Sequence, residues 1–281
     1  MSYAENEQLR QLQLAEHKML CDFAKICDKH NLTYFLDFGT LLGAVRHQGF
    51  IPWDDDVDVT MPLEDYRKFL KIAQEELGDE YFLQTSDTDI DFHYSFAKIR
   101  KNGTTLFREQ FKKWKVHQGI WLDIFPLVNV NPGMDFKIKK STVKICNSLL
   151  MDSYLLANQE EYNAIAGKTT TFFLKLLYKL PKKFRLKLKN LLLNSIVFKG
   201  KNKKNKSVLW LGMTRLYPNE MYGESDKLLF EGEHLNVPAQ YKQILEYVYG
   251  DYMQLPPPEK RIGHGHDIIM DLSKDYSEYL N

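Results

Sequence analysis

Four aspartates stand within five residues of the sequence, in the segment Trp53-Asp-Asp-Asp-Val-Asp58. If this segment is extended, Asp56 and Asp58 share one face of a strand, with Cα atoms roughly 7 Å apart. Carboxylates at that spacing repel each other unless a proton or a cation lies between them. Because all the ligand atoms are oxygens, the pattern favours Mg²⁺ or Mn²⁺ over zinc. A solvated acidic turn is the alternative that this segment alone leaves open.

A Gly-Thr pair lies upstream of the aspartates. Gly39 and Thr40 follow a predicted strand and begin a predicted helix. Backbone N–H groups at such a turn, together with the threonine hydroxyl, suit a phosphate oxygen. An ordinary helix cap is the alternative for so short a pattern.

A further carboxylate stands in the apolar segment Trp121-Leu-Asp-Ile-Phe125. Asp123 would be costly to bury in a strand unless it were paired or bound to a metal ion. The alternatives are a partner for a core arginine or for a helix N-terminus.

Hydrophobic spacing and turn residues predict the elements that must position these groups. Pro62 and Gly78 mark the two ends of one helix. Predicted helices cover 5–30, 41–46, 62–77 and 238–249, and predicted strands cover 33–38, 56–60, 81–84, 93–100 and 119–125.

The net charge of +1 over 281 residues hides a strong partition along the chain. From Tyr162 to Asn219 there are 14 Lys and Arg and no Asp or Glu. Basic helices with bulky apolar residues are typical of proteins that lie on an anionic membrane surface. A helical subdomain that packs on the rest of the chain, with its lysines in solvent, is an equal and compatible alternative. A nucleic-acid partner is not expected, because the stretch has no recognised motif.

Cysteine usage and the N-terminal sequence predict a cytoplasmic protein. The three cysteines form no CxxC or zinc spacing, which indicates a reducing compartment. The first residues lack the basic and apolar regions of a secretory signal. Peripheral association with the inner face of the membrane is expected if the basic stretch binds lipid.

Two adjoining segments carry a longer pattern, Leu36-Asp-Phe-Gly-Thr-Leu-Leu-Gly-Ala-Val-Arg-His47 and Gly49-Phe-Ile-Pro-Trp-Asp-Asp-Asp-Val-Asp58. They resemble the LicD family of phosphotransferases, which is related to the fukutin-like proteins and has the nucleotidyltransferase superfold. The resemblance continues at Lys98, Trp121–Phe125, Tyr249–Met253 and Pro256–Pro258, whereas 134–215 match only loosely.

The resemblance implies an α+β fold with a mixed sheet. It predicts a nucleotidyltransferase-like catalytic core at 1–133 and a basic helical subdomain at 134–215. A C-terminal segment at 216–281 is expected to complete the catalytic domain.

The resemblance also implies roles for residues. It makes Asp56, Asp58 and Asp123 the metal ligands, and Gly39 and Thr40 the residues that hold the donor phosphate. We expect Asp123 to be the base that accepts the proton of the acceptor hydroxyl, with Asp58 as the second candidate.

The reaction implied by the family is transfer of phosphocholine from CDP-choline to a sugar hydroxyl of a cell-surface polysaccharide precursor. The acceptor would belong to teichoic-acid-like or lipopolysaccharide biosynthesis and could be carried on a lipid, and CMP would be released. Two alternatives stay open: transfer of a ribitol or glycerol phosphate from another CDP-alcohol, and nucleotidyl transfer with release of pyrophosphate.

Four further side chains are candidates for substrate binding. Arg46 could hold a diphosphate oxygen or fix the Asp-rich loop, and Lys98 could meet the donor phosphates or lie on a solvated sheet face. A quaternary ammonium requires an aromatic cage, for which Trp53 and Trp121 are candidates, with core packing as the alternative. The segment Gly263-His-Gly-His266 predicts either a glycine-hinged loop over the phosphate or a weak metal pair.

Overall fold

A mixed seven-stranded sheet is the frame of the computed structural model, which describes residues 3–157, 176–200, 204–209, 212–263 and 268–280. The α+β class predicted from the sequence is confirmed. The sheet contains β1 (Phe35–Leu36), β2 (Asp58–Pro62), β3 (Tyr81–Gln84), β4 (Ala97–Lys101), β6 (Trp121–Val130), β7 (Asn205–Val208) and β8 (Tyr217–Pro218). Two smaller pairings join β5 (Thr105–Arg108) to β11 (Ile268–Asp271), and β9 (Ser225–Phe230) to β10 (Glu233–Pro238).

Helices cover the sheet and connect its strands. They are α1 (Tyr3–Lys29), α2 (Phe38–His47), α3 (Leu63–Leu77), α4 (Met134–Ser148), α5 (Asp152–Ala157), α6 (Lys182–Leu192) and α7 (Tyr241–Tyr249). A π-helical turn at Leu193–Val197 extends α6. Among the described residues, no helix combines the length and apolarity needed to cross a bilayer.

The central strand β6 changes partners along its length. It pairs with β2 in parallel over Asp123–Leu127. On its other side it pairs with β4 over 121–124 and with β7 over 127–130, both antiparallel. The strand predicted over 119–125 is therefore too short, because Pro126 does not end it but lies between the residues that pair with β4 and those that pair with β7. The strand runs on to Val130.

Turn residues in the sequence predicted the bounds of the next helix and strand correctly. The helix predicted over 62–77 and the strand predicted over 81–84 are confirmed as α3 and β3. The helix predicted over 41–46 begins earlier, at Phe38, because the Asp37 carboxylate accepts the N–H of Phe38 and caps it.

The strand predicted over 56–60 begins later, at Asp58. Asp56 therefore lies in the loop before β2, and the expectation that it shares a strand face with Asp58 is wrong. The reason is local, since the Thr40 hydroxyl accepts the N–H of Asp58 at 2.9 Å and fixes the point where the strand begins.

The predicted basic helical subdomain at 134–215 contains α4, α5 and α6, and α6 begins directly after Pro181. β7 lies in the same range and joins the main sheet beside β6. The division of the chain at 133 and 215 stays a prediction. Parts of the basic stretch, at 158–175 and 201–203, lie outside the described residues, as does His264–Asp267.

Three basic side chains of this region face inward. Lys139, Arg185 and Lys189 are each no more than 2% exposed. The alternative that places the lysines of 162–219 in solvent does not hold for Lys189. All three side chains are surrounded by main-chain carbonyls or side-chain oxygens of other segments.

Candidate active site

Strand register brings two of the predicted carboxylates side by side. Asp58 on β2 lies opposite Asp123 on β6, and Lys98 on β4 lies opposite Asp123 from the other side. Residues opposite each other in a sheet project from the same face. The sheet therefore presents the three side chains as one row, acid–acid–base, across three neighbouring strands.

Asp123, the central residue of the row, forms a close ion pair with Lys98. The Nζ of Lys98 is 2.7 Å from Oδ1 and 2.9 Å from Oδ2 of Asp123. Burial lowers the pKa of Lys98, and the charge of Asp123 opposes that shift. Lys98 thus neutralises one of the carboxylates and leaves the other, Asp58, to be compensated in another way.

The electrostatics at Asp58 favour a proton or a cation. Burial raises the pKa of Asp58 well above its ordinary value, and the negative charges of Asp56 and Asp123 raise it further. Lys98 acts in the opposite direction but is the smaller influence. A divalent cation beside Asp58 would remove the penalty that these charges impose.

The loop before β2 gathers three more carboxylates. One oxygen each of Asp54, Asp55 and Asp56 lie within 4.8 Å of one another, which is the closest grouping of possible metal ligands found among the described residues. Hard oxygen donors of this kind fit Mg²⁺ or Mn²⁺. The sequence pointed to Asp56 with Asp58 and Asp123 as ligands, and the structure adds Asp54 and Asp55 as neighbours of Asp56.

Gly39 and Thr40 hold the acidic loop in place from α2. A Cβ at Gly39 would lie 2.6 Å from Oδ2 of Asp54, so glycine is required for that carboxylate to approach. Thr40 accepts the N–H of Asp58. Both residues therefore contact the site, and phosphate binding by them stays a prediction.

Asp37 is a buried acid that the sequence analysis did not single out, and it links the start of α2 to strand β2. Asp37 accepts hydrogen bonds from Thr60 at 2.9 Å and from the phenol of Tyr222 at 2.8 Å. Burial raises the pKa of Asp37 to about 6, and these hydrogen bonds oppose the shift. No local pattern could have revealed Tyr222, which is 185 residues away.

A cavity of about 580 Å³ opens beside the acidic loop. Its lining includes Arg46, Trp53, Tyr249, Tyr252 and Arg261. The pKa of Tyr249 is raised by burial and by negative charges that include Asp37, Asp58 and Asp54, which places the cavity next to the carboxylates. Aromatic walls and two guanidinium groups suit a ligand that carries an anion.

The two arginines of the cavity are held by main-chain oxygens. Arg46 donates from Nη1 to the carbonyl of Tyr252 at 3.0 Å, and its buried Nε has no hydrogen-bond partner among the described residues. Arg261 donates from Nε to the carbonyl of Pro256, and its guanidinium lies 5.6 Å from the centre of the Trp53 ring. Sequence reasoning missed Arg261, since nothing in its local sequence separates it from a surface arginine.

The two tryptophans proposed for a choline cage lie in different surroundings. Trp53 lines the cavity. Trp121 lies on β6 with Lys98 Nζ 4.6 Å and the Arg100 guanidinium carbon 5.1 Å from its ring centre. Two cations of the chain already contact the Trp121 ring, so Trp53 is the better placed of the pair for a ligand.

These features define a class of protein before any comparison. A parallel strand pair with adjacent carboxylates, a preceding Gly-Thr helix and an acidic loop are the arrangement of a nucleotidyltransferase-like transferase. Residues 31–151 match the family described as LicD/FKTN/FKRP, nucleotidyltransferase domain. Residues 31–151 therefore form a LicD family domain.

Individual relatives agree with this assignment. The chain is 29% identical over 268 residues to the lipopolysaccharide cholinephosphotransferase LicD of Haemophilus influenzae, covering 91% of this chain and 97% of that protein. It is 40% identical over 53 residues to the ribitol 5-phosphate transferase FKRP of Homo sapiens, covering 19% of this chain and 11% of that protein. An uncharacterized protein of Rickettsia typhi is 44% identical over 59 residues, 21% of this chain and 19% of its own length.

Proposed function

We propose that the protein transfers phosphocholine from CDP-choline to a sugar hydroxyl of a cell-surface polysaccharide precursor and releases CMP. The observation that carries the proposal is the row formed by Asp58, Asp123 and Lys98 beside the Asp-rich loop. The family supports transfer of an alcohol phosphate to a glycan, and the long match to a cholinephosphotransferase favours choline as the alcohol. The precursor would be teichoic-acid-like or a lipopolysaccharide.

A divalent cation, Mg²⁺ or Mn²⁺, is part of this proposal. Asp56, Asp58 and Asp123 would hold it, with Asp54 and Asp55 close enough to share in the site. When bound, such an ion neutralises the charge of the donor diphosphate and of the transition state. The residues fit the ion, because oxygens of Asp54, Asp55 and Asp56 cluster within 4.8 Å. In addition, burial and the charges of Asp56 and Asp123 raise the pKa of Asp58.

The residues of the chain would then act on the two substrates. The oxygen of the acceptor hydroxyl forms a bond to the choline-bearing phosphorus, and the bond from that phosphorus to the bridging oxygen of CMP breaks. The hydroxyl proton goes to a carboxylate. Since Lys98 already pairs with both carboxylate oxygens of Asp123, we assign the base to Asp58 rather than to Asp123.

The cavity offers a place for the donor. Arg46 and Arg261 would bind phosphate oxygens through charge-assisted hydrogen bonds. Trp53 and Tyr249 provide the flat aromatic surface that a cytosine ring or a quaternary ammonium requires. Gly39 and Thr40, at the N-terminus of α2, would bind a phosphate oxygen beside the acidic loop.

A donor screen with Mg²⁺ tests the reaction. CDP-choline, CDP-ribitol, CDP-glycerol, CTP and UTP are each incubated with the protein and a glycan acceptor, and CMP and pyrophosphate are measured. We expect CMP from CDP-choline above the level from the other CDP-alcohols. Release of pyrophosphate from a nucleoside triphosphate would instead establish nucleotidyl transfer, and preference for CDP-ribitol or CDP-glycerol would change the alcohol.

A second proposal concerns where the protein acts. Helix α6 buries its Arg185 and Lys189 and leaves Phe184 and Leu191 53% and 61% exposed. Lys183 and Lys187 lie exposed on the same helix. Apolar side chains with lysines beside them suit the surface of an anionic membrane, and we propose peripheral contact there, on the inner face, with a lipid-linked acceptor.

A further inference from the structure

One carboxylate near the site is not explained by the roles assigned above. Glu16 lies in the middle of α1 and is fully buried, with 0% of its surface exposed. Neither Oε1 nor Oε2 has a hydrogen-bond partner among the described residues. A buried carboxylate without donors is strongly disfavoured, because it loses its hydration and gains nothing in return.

The face of α1 that carries Glu16 lies against the acidic loop. Gln13, three residues earlier and thus on the same face, donates from Nε2 to the carbonyl oxygens of Asp54 at 3.0 Å and Ile51 at 3.4 Å. Helix α1 also packs against β6, the strand of Asp123. Glu16 is therefore placed beneath the loop at the side where the carboxylates gather.

The charges around Glu16 are of its own sign. Burial raises its pKa well above the ordinary value, and the negative charges of Asp56, Asp55 and Asp54 raise it further, in that order. Asp123 adds to the same effect. An ordinary salt bridge does not account for Glu16, since no cationic side chain of the described residues lies within salt-bridge distance of it.

A cation held by the loop would account for all of these features. It would supply the missing partner of the Glu16 oxygens and would also separate the like charges. We propose that Glu16 is a further carboxylate of the divalent-cation site, contacting the ion directly or through an ion-bound water. The inference rests on the cation of the proposed function and adds a residue that no motif in the sequence marks.

Mn²⁺ binding to the full-length protein tests this without an activity assay. Free Mn²⁺ is measured by electron paramagnetic resonance as the ion is titrated into wild type, Glu16→Gln and Glu7→Gln. Glu7 is the matched control, because it is exposed on the same helix. We expect Glu16→Gln to weaken Mn²⁺ binding about 10- to 100-fold, the range for residues that support metal ligands, and Glu7→Gln to leave it unchanged.

Thermal unfolding in EDTA separates this role from a structural one. If Glu16 serves the ion, the neutral glutamine removes a buried charge and the Tm without metal rises. Unchanged Mn²⁺ affinity in Glu16→Gln overturns the inference, and so does weaker affinity with a lower Tm in EDTA, which would make Glu16 a packing residue. If wild type binds no Mn²⁺, the cation of the proposed function fails as well, whereas normal wild-type binding with an unaffected variant overturns Glu16 alone.

Discussion

The acidic loop with its strands and the basic helices α4 and α6 both contain buried charges, but the chain compensates them differently. Lys189 donates to Ser86 Oγ at 2.6 Å and to the carbonyls of His93 and Tyr94 at 2.7 and 2.6 Å. Lys139 donates to two carbonyls at 2.8 Å. At the acidic side, by contrast, Glu16 has no donor among the described residues.

The guanidinium of Arg185 also finds its hydrogen-bond partners within the chain. It donates to the carbonyls of Leu149 and Leu180 and pairs with both carboxylate oxygens of Asp152. Removing a buried charge whose partners belong to the chain leaves those partners unpaired, whereas a buried charge left for a ligand is a cost until the ligand arrives. The contrast predicts opposite outcomes for substitutions in the two regions.

The largest effect is expected at Asp58. Asp58→Asn should lower turnover about 10³-fold, because several kcal/mol of charge stabilisation is lost. The same variant should have a higher Tm in EDTA than wild type. The sign follows because a carboxyl whose pKa is raised in the folded state subtracts stability when it is ionised at neutral pH.

Steady-state CMP release and thermal unfolding measure the two quantities. Asp28→Asn, at an exposed position of α1, is the control and should change neither. A variant of Asp58 that kept normal turnover would remove Asp58 from the site.

Arg185→Gln should show the opposite behaviour. Removing one partner of a buried ion pair costs about 3 kcal/mol, which lowers the Tm by roughly 5 °C, while kcat of the folded fraction stays near wild type. Urea unfolding and CMP release at 20 °C measure these effects, with Lys187→Gln as the exposed control on the same helix. A large fall in kcat at full folding would show that the basic helices take part in catalysis.

Arg261→Gln probes the cavity. Loss of one charge-assisted hydrogen bond to phosphate, about 1.5–3 kcal/mol, should raise the KM for CDP-choline about tenfold or more and leave kcat and Tm nearly unchanged. Lys260→Gln, one residue earlier and exposed, serves as the control. An unchanged KM would place the donor outside this cavity.

Lys189 on α6 should make the free energy of unfolding depend on pH above neutrality. Burial lowers the pKa of Lys189 to about 7, whereas the unfolded chain keeps that proton up to about pH 10. Because the unfolded state then binds more protons, stability should rise with pH between about 7 and 10, by up to about 1.4 kcal/mol per pH unit.

Urea unfolding of wild type and Lys189→Met at pH 7, 8 and 9 isolates this contribution, since other groups cancel in the difference. The free energy of unfolding of wild type should rise relative to the variant as pH increases. A constant difference would mean that Lys189 stays charged in the folded protein.

The smallest effect concerns the outer face of α6. Flotation should recover more protein with anionic than with neutral vesicles. The double variant Phe184→Ser, Leu191→Ser should reduce that recovery several-fold, since each apolar side chain buried in the membrane contributes about 1.5–3 kcal/mol at most. Equal recovery with both kinds of vesicle would end the membrane proposal.

The sequence predicted what depends on near neighbours. Helix α3 and strand β3 lie where Pro62 and Gly78 predicted them, because proline and glycine act on the backbone at their own positions. The acidic segment was recognised because four carboxylates within five residues are a local pattern.

What could not be predicted depends on distant segments. The register that sets Asp58 opposite Asp123 joins residues 65 positions apart, and no local pattern fixes such a pairing. One of the two alternatives placed the lysines of the basic stretch in solvent, and the sequence could not show that Lys189 is buried, because its acceptors lie in the distant segment around His93. Glu16 looked like an ordinary position of an amphipathic helix, and only the fold shows what lies beside it.

The change of partners along β6 has a practical consequence for dissecting the protein. A fragment that ended at residue 133 would keep β2 and β4 but would lose β7, which hydrogen-bonds to Val130, Asn129 and Val128. The second half of β6 would then be an open strand edge, able to add strands from other molecules. A truncated catalytic core is thus expected to aggregate, and the basic helices are best removed by a short linker that retains Asn205–Val208.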